Sequence, residues 1–518
     1  MLSLDVGLSP MLASDRRDLH VRGFVRKLTS NGATVRQAKA HVRRSHDQSP
    51  GEGTIPTCLG RAIRLVAAGL LRTGPERRME AVVVRHRGDR VSRRKLGPQR
   101  LTLGADQGRI VARRPSKVEY GTVDVSRPDV EKQVSSLRKD DIFLDHQATT
   151  PVDPRVLAAM LPYFGGRFGN PHSIGYARAE AARMAVEDAR ASVAALIGSP
   201  PADVFFTSGA TESCNIAIRG LFSQPGKHHP GRLIHSVIEH ACVLGPARAL
   251  ADNGVEVVEV PVDEDGIVDL EAAEGAMRRG AGLVSVMMAN NEIGTIQPVE
   301  EIASLCRLNG VPFHTDAAQA VGKLPVDVKA LGVDLLSLSG HKLYGPQGIG
   351  ALYCRPDLRR RLRSTAYGGG QEGGLRPGTL PLALCVGLGE ACRIAAMELE
   401  AEAVRMARLR DRLLARLRVD MPDLEVNGCL DRRLPGNLNI SLPGVDADAL
   451  VLALGDVAVS TGSACASGAL EPSHVLVALG LEPSRTTAAI RIGVGRFTTE
   501  AEIERAAVRI ADVARALA

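Results

Sequence analysis

No stretch of the 518 residues approaches the run of about 20 apolar residues that a membrane-spanning helix needs, and no basic-then-apolar signal segment opens the chain. A soluble, intracellular protein is the expectation. Disulfide and zinc frameworks are missing too. The nine cysteines (58, 214, 242, 306, 354, 385, 392, 429 and 465) are odd in number and scattered, without a CxxC pair or a histidine at finger spacing. Reduced, mostly inert core thiols are the default, and no metal site is expected. Internal repeats and low-complexity segments are absent. Aromatic residues are scarcest in the first 140 positions, which hold only Phe24 and Tyr120.

Charge divides at the same place. Residues 1–140 carry 29 Lys and Arg against 14 Asp and Glu, whereas the remaining 378 carry 36 against 44, so the overall +7 describes neither part. Runs such as "RVSRRKLGPQR" separate short apolar patches, and a segment that buries so little apolar surface does not offset its chain entropy. Residues 1–140 therefore read as a basic extension, disordered or outside the functional fold, with one helix near Arg61 to Leu71. An arginine-rich arm gains affinity from phosphates. Without interleaved aromatics, however, a solvated tail or translated upstream sequence is the plainer reading, so neither direct nucleic-acid binding nor membrane attachment is expected. The fourteen acidic residues argue against a transit peptide. The expected location is the cytoplasm, or an organelle matrix if the extension is a targeting segment.

From Asp141 short apolar runs alternate with helical periodicity, the pattern of βαβ units and a mostly parallel sheet. Strands are expected at Val204–Thr207, Leu233–Ser236, Val255–Val260, Leu283–Met288, Val311–His314, Leu335–Ser339 and Ala351–Cys354, with helices at Ala241–Ala251 and Val299–Asn309. Seven strands make one large α/β domain over 155–390. Residues 141–154 and 391–518 form a smaller α+β domain. Its signals are a helix with Met406, Leu409, Leu413 and Leu417 on one face, the alternating "NLNISL", strands at Val457–Ser460 and Ala489–Ile492, and a capping box from Thr499 to Glu502.

Chemistry concentrates at the strand ends. "FFTSGATESCN" delivers a strand through small residues into a helix N-terminus, where backbone N–H groups converge on an anion. "VPFHTDAAQA" ends a strand at Asp316, and "SLSGHKLYGP" ends another at Lys342. Taken singly, such an Asp is more often a helix cap and such a Lys a surface ion pair. Together, an anion cradle, an acid and an isolated lysine are the parts of a pyridoxal-phosphate site.

The order and wording of "LDHQATTPVDP", "FGNPHS", "TSGATES", "EHACV", "NNEIGTIQP", "HTDAAQAVGK", "SLSGHKLYGPQGIGALY", "GGGQEGGLRPGT", "STGSACASGALEPSHVL" and "IRIGVGRFTTEAEI" resemble a group I cysteine desulfurase. That group lies in the class V aminotransferase branch of fold type I pyridoxal-phosphate enzymes, and the likeness covers residues 141–518. It implies pyridoxal 5'-phosphate bound covalently by Lys342, with Asp316 on the ring nitrogen, Gln319 on the phenolic oxygen, Asn291 on a ring substituent and His240 stacked on the ring. Ala210, Thr211, Ser339 and His341 match the phosphate cradle, and Thr379 a residue that reaches the partner's cofactor in a homodimer. Arg491 matches the substrate-carboxylate arginine, whose planar fork makes two parallel hydrogen bonds, and Asn170 is assigned to the same carboxylate.

Cys465, set among Ser, Gly and Ala, matches the nucleophile that takes sulfur from L-cysteine as a persulfide and hands it to an acceptor protein. The acceptor is an iron–sulfur scaffold or a tRNA-thiolation relay. Lys342 takes the Cα proton, the Cys465 thiolate attacks the substrate sulfur, and alanine leaves. The runner-up is selenocysteine lyase or another class V aminotransferase-type reaction. Three residues depart from the pattern. Cys214 stands for a frequent Asp and is expected to be a buried residue of little consequence. Gly373 stands for Arg, and Gln147 for a small residue. The chain also ends soon after its last helix, where some relatives carry a longer docking tail.

Overall fold

The computed structural model describes residues 141–223, 231–461 and 472–518. The seven-stranded sheet is built from β2 (Val204–Thr207), β3 (Arg232–Ser236), β4 (Val257–Val260), β5 (Ala281–Ser285), β6 (Phe313–Asp316), β7 (Leu335–Ser339) and β8 (Gly350–Cys354), in the order β2-β8-β7-β6-β5-β3-β4. Only β8 runs against its neighbours. Most of these strands are buried at every position, as a sheet covered on both faces requires, which is why they read as apolar runs rather than alternations.

Observed edges equal the expected ones at Val204–Thr207 and Leu335–Ser339 and shift by one to three residues in the other five strands. The run "VPF" starts its strand only at Phe313, because Pro312 has no N–H for the ladder, and the strand extends to include Asp316 as its last residue.

One face of the sheet packs on α1 (Pro154–Phe164), α2 (Ala177–Leu196) and the first half of a 39-residue helix, and the other on α3 (Ala210–Phe222) and α4 (Ala241–Ala251). That long helix, Leu382–Asp420, serves two cores. Its residues up to Ala395 join the large cluster, and Met406, Leu409, Leu413 and Leu417 join a separate one. The second core is closed by β1 (Ile142–Phe143), β9 (Glu425–Val426), β10 (Asn437–Ser441), β11 (Val457–Ala458), β12 (Ala489–Gly493) and the terminal helix Glu500–Leu517. Thr499 and Glu502 form the expected capping box of that helix. β10 pairs antiparallel with β12, and β1 parallel with β11. Among the described residues no helix is long and apolar enough to cross a membrane.

Strand order sets the site. The chain steps outward from β3 to β4, returns to β5 on the other side of β3, and continues to β6 and β7. Open α/β sheets bind ligands at the carboxyl ends of strands where the winding reverses. His240 follows β3, Asn291 follows β5, Asp316 ends β6 and Lys342 follows β7.

Candidate active site

The first-turn N–H groups of α3, from Ala210 and Thr211, follow Gly209, whose φ of +145° suits glycine and which offers no side chain to cap them. An uncapped 13-residue helix start is an anion site. A Cβ built on Gly209 would stand 3.6 Å from Ser339 Oγ, so Ser339, at the end of β7, borders the same turn. His341 follows Ser339 by two residues. Its Nδ1 lies 3.1 Å from Thr149 Oγ1, and burial, helped by Lys342 and Lys323, pushes its imidazole down to about 4.

The segment "HQATTP" packs against "GHKLY". Thr150 N–H and Oγ1 both donate to the His341 carbonyl, at 2.9 and 3.0 Å. Lys342 Nζ donates to the carbonyls of Gln147 and Ala148, the latter at 2.8 Å. The Gln147 contact uses backbone, so the unusual residue at 147 leaves it intact.

Asp316 is 5% exposed. Its Oδ1 accepts the Ala318 N–H at 2.9 Å, and its Oδ2 accepts from Cys242 Sγ at 3.1 Å. His240 caps α4, its Nδ1 accepting the Cys242 N–H at 3.1 Å, which leaves the neutral ring's proton on Nε2. Burial lowers the His240 pKa, Asp316 opposes this, and Lys342, His474 and Arg491 add to it. These groups share one electrostatic neighbourhood. Asn290 is consumed by its turn, bonding Ile238 O and the N–H groups of Glu292 and Ile293, and the next residue, Asn291, follows it after β5.

Arg491 is the largest fully buried side chain of the described residues, 2% exposed. Its Nη2 donates to Asp145 Oδ1 at 2.8 Å and its Nη1 to the Asn291 carbonyl at 3.1 Å, while Nε is buried without a partner. Ser460 exchanges backbone hydrogen bonds with Arg491. On the far side of 462–471, Ser473 Oγ donates to Glu292 Oε2 at 2.5 Å and His474 bonds the Glu239 carbonyl at 3.0 Å. Cys465 itself lies outside the described residues.

Two expected residues lie at the surface. Asn170 is exposed and accepts the His172 N–H at 3.0 Å. Thr379 is exposed, in a loop held by Glu372, which binds Arg190 at 2.8 Å and the Phe206 N–H at 2.7 Å. In that loop Gly373 takes φ +62°, and a Cβ there would strike Arg359 Nη2, so the departure at 373 fits its own surroundings.

Sequence reasoning missed Lys323 and Asp145. Lys323 Nζ donates to Gln319 Oε1 at 3.1 Å while Gln319 Nε2 donates to the Gln147 carbonyl at 2.9 Å. Burial, with Lys342 and Arg491 nearby, pushes this amine down to about 7. The "VGK" lysine has an apolar neighbour and follows Gln319 by one helical turn, a spacing that could have marked it.

The donor set suits a planar ring with a basic nitrogen, a phenolic oxygen, an aldehyde and a phosphate: a buried carboxylate, an amide, an imidazole, an amine and uncapped helix N–H groups.

Residues 142–506 match the family described as aminotransferase class V. A probable mitochondrial cysteine desulfurase of Dictyostelium discoideum is 50% identical over 368 residues, 71% of this chain and 81% of that protein. The cysteine desulfurase IscS of Rickettsia rickettsii is 49% identical over 367 residues, 70% of this chain and 89% of its own length. A solved NifS-like protein superposes with a TM-score of 0.67 at 35% identity, covering 73% of this chain and all of its own. The chain belongs to the class-V aminotransferase family and, within it, to the cysteine desulfurases.

Proposed function

We propose that the protein converts L-cysteine to L-alanine with pyridoxal 5'-phosphate, taking the sulfur as a persulfide on Cys465. The observation that carries this is the convergence of Asp316, His240 and Lys342 at the sheet's carboxyl edge with Arg491 from β12. When bound, pyridoxal 5'-phosphate supplies an electron sink that acidifies the Cα–H of the amino acid it holds.

Asp316 would hold the ring nitrogen, Gln319 the phenolic oxygen, Asn291 a ring substituent and His240 one ring face. Ala210, Thr211, Ser339 and His341 would hold the phosphate. Arg491, already fixed through Asp145 and the Asn291 carbonyl, would bind the substrate carboxylate with its guanidinium fork. Asn170 assists at that carboxylate. Lys342 removes the Cα proton, its ammonium form being accepted by the carbonyls of Gln147 and Ala148. Cys465 then forms an S–S bond as the substrate Cβ–S bond breaks, and the carbon fragment leaves as alanine after protonation.

Cys465 sits in the chain between Ser460, paired with Arg491, and Ser473, paired with Glu292, which supports its reach to the substrate. The exposed Thr379 supports a homodimer in which it meets the partner's cofactor. Sulfur passes to an acceptor protein, an iron–sulfur scaffold or a tRNA-thiolation relay, in the cytoplasm or an organelle matrix.

The test is to incubate the cofactor-loaded protein with L-cysteine and follow alanine, sulfide released by a small thiol, and the mass of the peptide holding Cys465. Alanine with a 32-Da adduct (one sulfur) on that peptide, both lost in Cys465→Ala, is expected. Undiminished sulfide from Cys465→Ala would favour a lyase or aminotransferase instead.

A further inference from the structure

Two thiols lie behind Asp316. Cys214, in α3, and Cys242, in the first turn of α4, are 0% and 3% exposed. Their Sγ atoms stand 3.7 Å apart, and Cys242 Sγ is 3.1 Å from Asp316 Oδ2. Burial pushes the Cys214 thiol up. The contact with Cys214, then burial and Asp316, push Cys242 up further. Both sulfurs therefore keep their protons.

A carboxylate has no proton to give, so the bond at 3.1 Å runs from Cys242 S–H to Asp316, and the freed sulfur lone pair accepts the Cys214 S–H. The other carboxylate oxygen is taken by the Ala318 N–H, so both oxygens are tied and the plane of the group is fixed. The expectation that Cys214 is of little consequence overlooks this chain, because only the fold brings residues 214, 242 and 316 together.

We propose that Cys214 and Cys242 are positioning residues, a thiol–thiol–carboxylate chain that holds the plane of Asp316 for the ring nitrogen of the cofactor. The proposal rests on the reading of Asp316 given above. A thiol suits the task because it is a weak donor. It orients the carboxylate while leaving most of its charge for the ring N–H, where a hydroxyl or ammonium would compete. The three ligand atoms also lie within 4.8 Å of one another, the compactness of a metal site. A metal there would have to displace both thiol protons against the burial that retains them, and would take the carboxylate from the ring.

The experiment compares full-length wild type with Cys242→Ala, Cys242→Ser, Cys214→Ala and Asp316→Asn, reading the dissociation constant of pyridoxal 5'-phosphate and the absorption maximum of the bound cofactor. Cys242→Ala should weaken binding about tenfold and move the band, as the loss of a hydrogen bond to a charged acceptor does. Cys242→Ser, whose hydroxyl orients the carboxylate but competes for its charge, should recover only part of the affinity, and Cys214→Ala should move both readouts the same way by about two- to threefold. Unchanged affinity and band in Cys242→Ala, with both altered in Asp316→Asn, overturns the thiol chain alone. Both unchanged in Asp316→Asn as well overturns the reading of Asp316 with it.

Should Cys242→Ala fail to fold, the infrared difference spectrum between wild type and Cys214→Ala decides. A hydrogen-bonded S–H stretch that moves when the cofactor binds supports the chain. A stretch at the free-thiol frequency, or stoichiometric zinc on the purified protein in place of the two S–H bands, overturns it.

Discussion

The two large sheets bring polar groups to the site by different rules. In the seven-stranded sheet both faces are buried, and the polar groups assigned to the cofactor stand at strand ends, where Asp316 closes β6 and Ser339 closes β7. Inside β6, His314 is held between Ser285 at 2.8 Å and Ser337 at 2.9 Å. In the three-stranded sheet polarity follows the two-residue period. Leu438, Ile440, Ile490 and Ile492 enter the second core, while Asn437, Asn439 and Arg491 occupy the alternate positions. There Asn437 and Asn439 both donate to the Glu292 carbonyl, at 3.1 and 3.3 Å, bracing the turn whose neighbour Asn291 braces Arg491. One sheet assembles several groups that act together, and the other contributes a single charge on a rigid mount. Substitutions should therefore fail differently in the two.

The sharpest break is expected on the large sheet. Lys342→Ala should lower turnover at least about 10³-fold, since it removes the group proposed to move the proton. Borohydride should no longer fix the cofactor to the chain, although cofactor should still bind through Asp316 and the α3 turn. Peptide mapping after reduction checks the assignment, and label on Lys323 instead would reverse the roles of the two amines.

On the small sheet the loss should fall on binding. Arg491→Lys keeps a charge for Asp145 but loses the fork, so KM for cysteine should rise about 10- to 100-fold while kcat changes by a smaller factor. A dominant loss of kcat would mean that Arg491 acts on the reacting atoms and that the contrast between the sheets is misdrawn.

That contrast was partly legible in the sequence. Alternation in "NLNISL" and "AAIRIG" marks a two-faced sheet with one arginine out of phase with the apolar set, and the apolar runs ending in Asp316 and Ser339 mark buried strands whose ends carry chemistry. What periodicity could not supply is contact between distant segments. Asp145 lies 346 positions from Arg491, and Gln147 lies 195 from Lys342, so both braces exist only once β1 joins β11 and the "HQATTP" segment meets β7. Lys323 was opaque for another reason: a lysine's letter does not reveal that its amine is buried.

Burial at Lys323 gives a pH-dependent test of the large sheet's cooperative edge. The native amine titrates near 7 against 10.5 for an ordinary lysine. Across that interval the unfolded chain binds a proton that the native state does not, so wild-type stability should rise with pH, the full cost applying below about 7. Lys323→Met lacks the term. The wild-type-minus-variant difference in unfolding free energy of the cofactor-free protein should grow by about 3 kcal/mol from about pH 7.5 to about pH 10. A flat difference in paired urea titrations would show Lys323 charged and solvated in the native protein, leaving Gln319 to be oriented by the Gln147 carbonyl alone.

The smallest effect is expected from removal of the basic extension, and it locates where the small sheet's scaffold begins. The family match opens at residue 142, and β1 starts there, its Ile142 and Phe143 pairing with Val457 and Ala458. A chain starting at Lys139 retains this pairing, the Asp145 brace on Arg491 and the Gln147 and Ala148 carbonyls that receive Lys342. Its cofactor content, dimerisation and kcat/KM should match the full chain within about twofold, a free-energy difference under about 0.5 kcal/mol. A start at Gln147 removes β1 and Asp145 together, which leaves a buried guanidinium without its carboxylate, an arrangement that costs about 3–5 kcal/mol when one partner of a buried pair is deleted. Thermal unfolding and KM for the two truncations side by side decide the point. Equal behaviour of both would mean that Arg491 is mounted by β10 and β12 alone, and a marked loss already at Lys139 would make the basic extension part of the working fold.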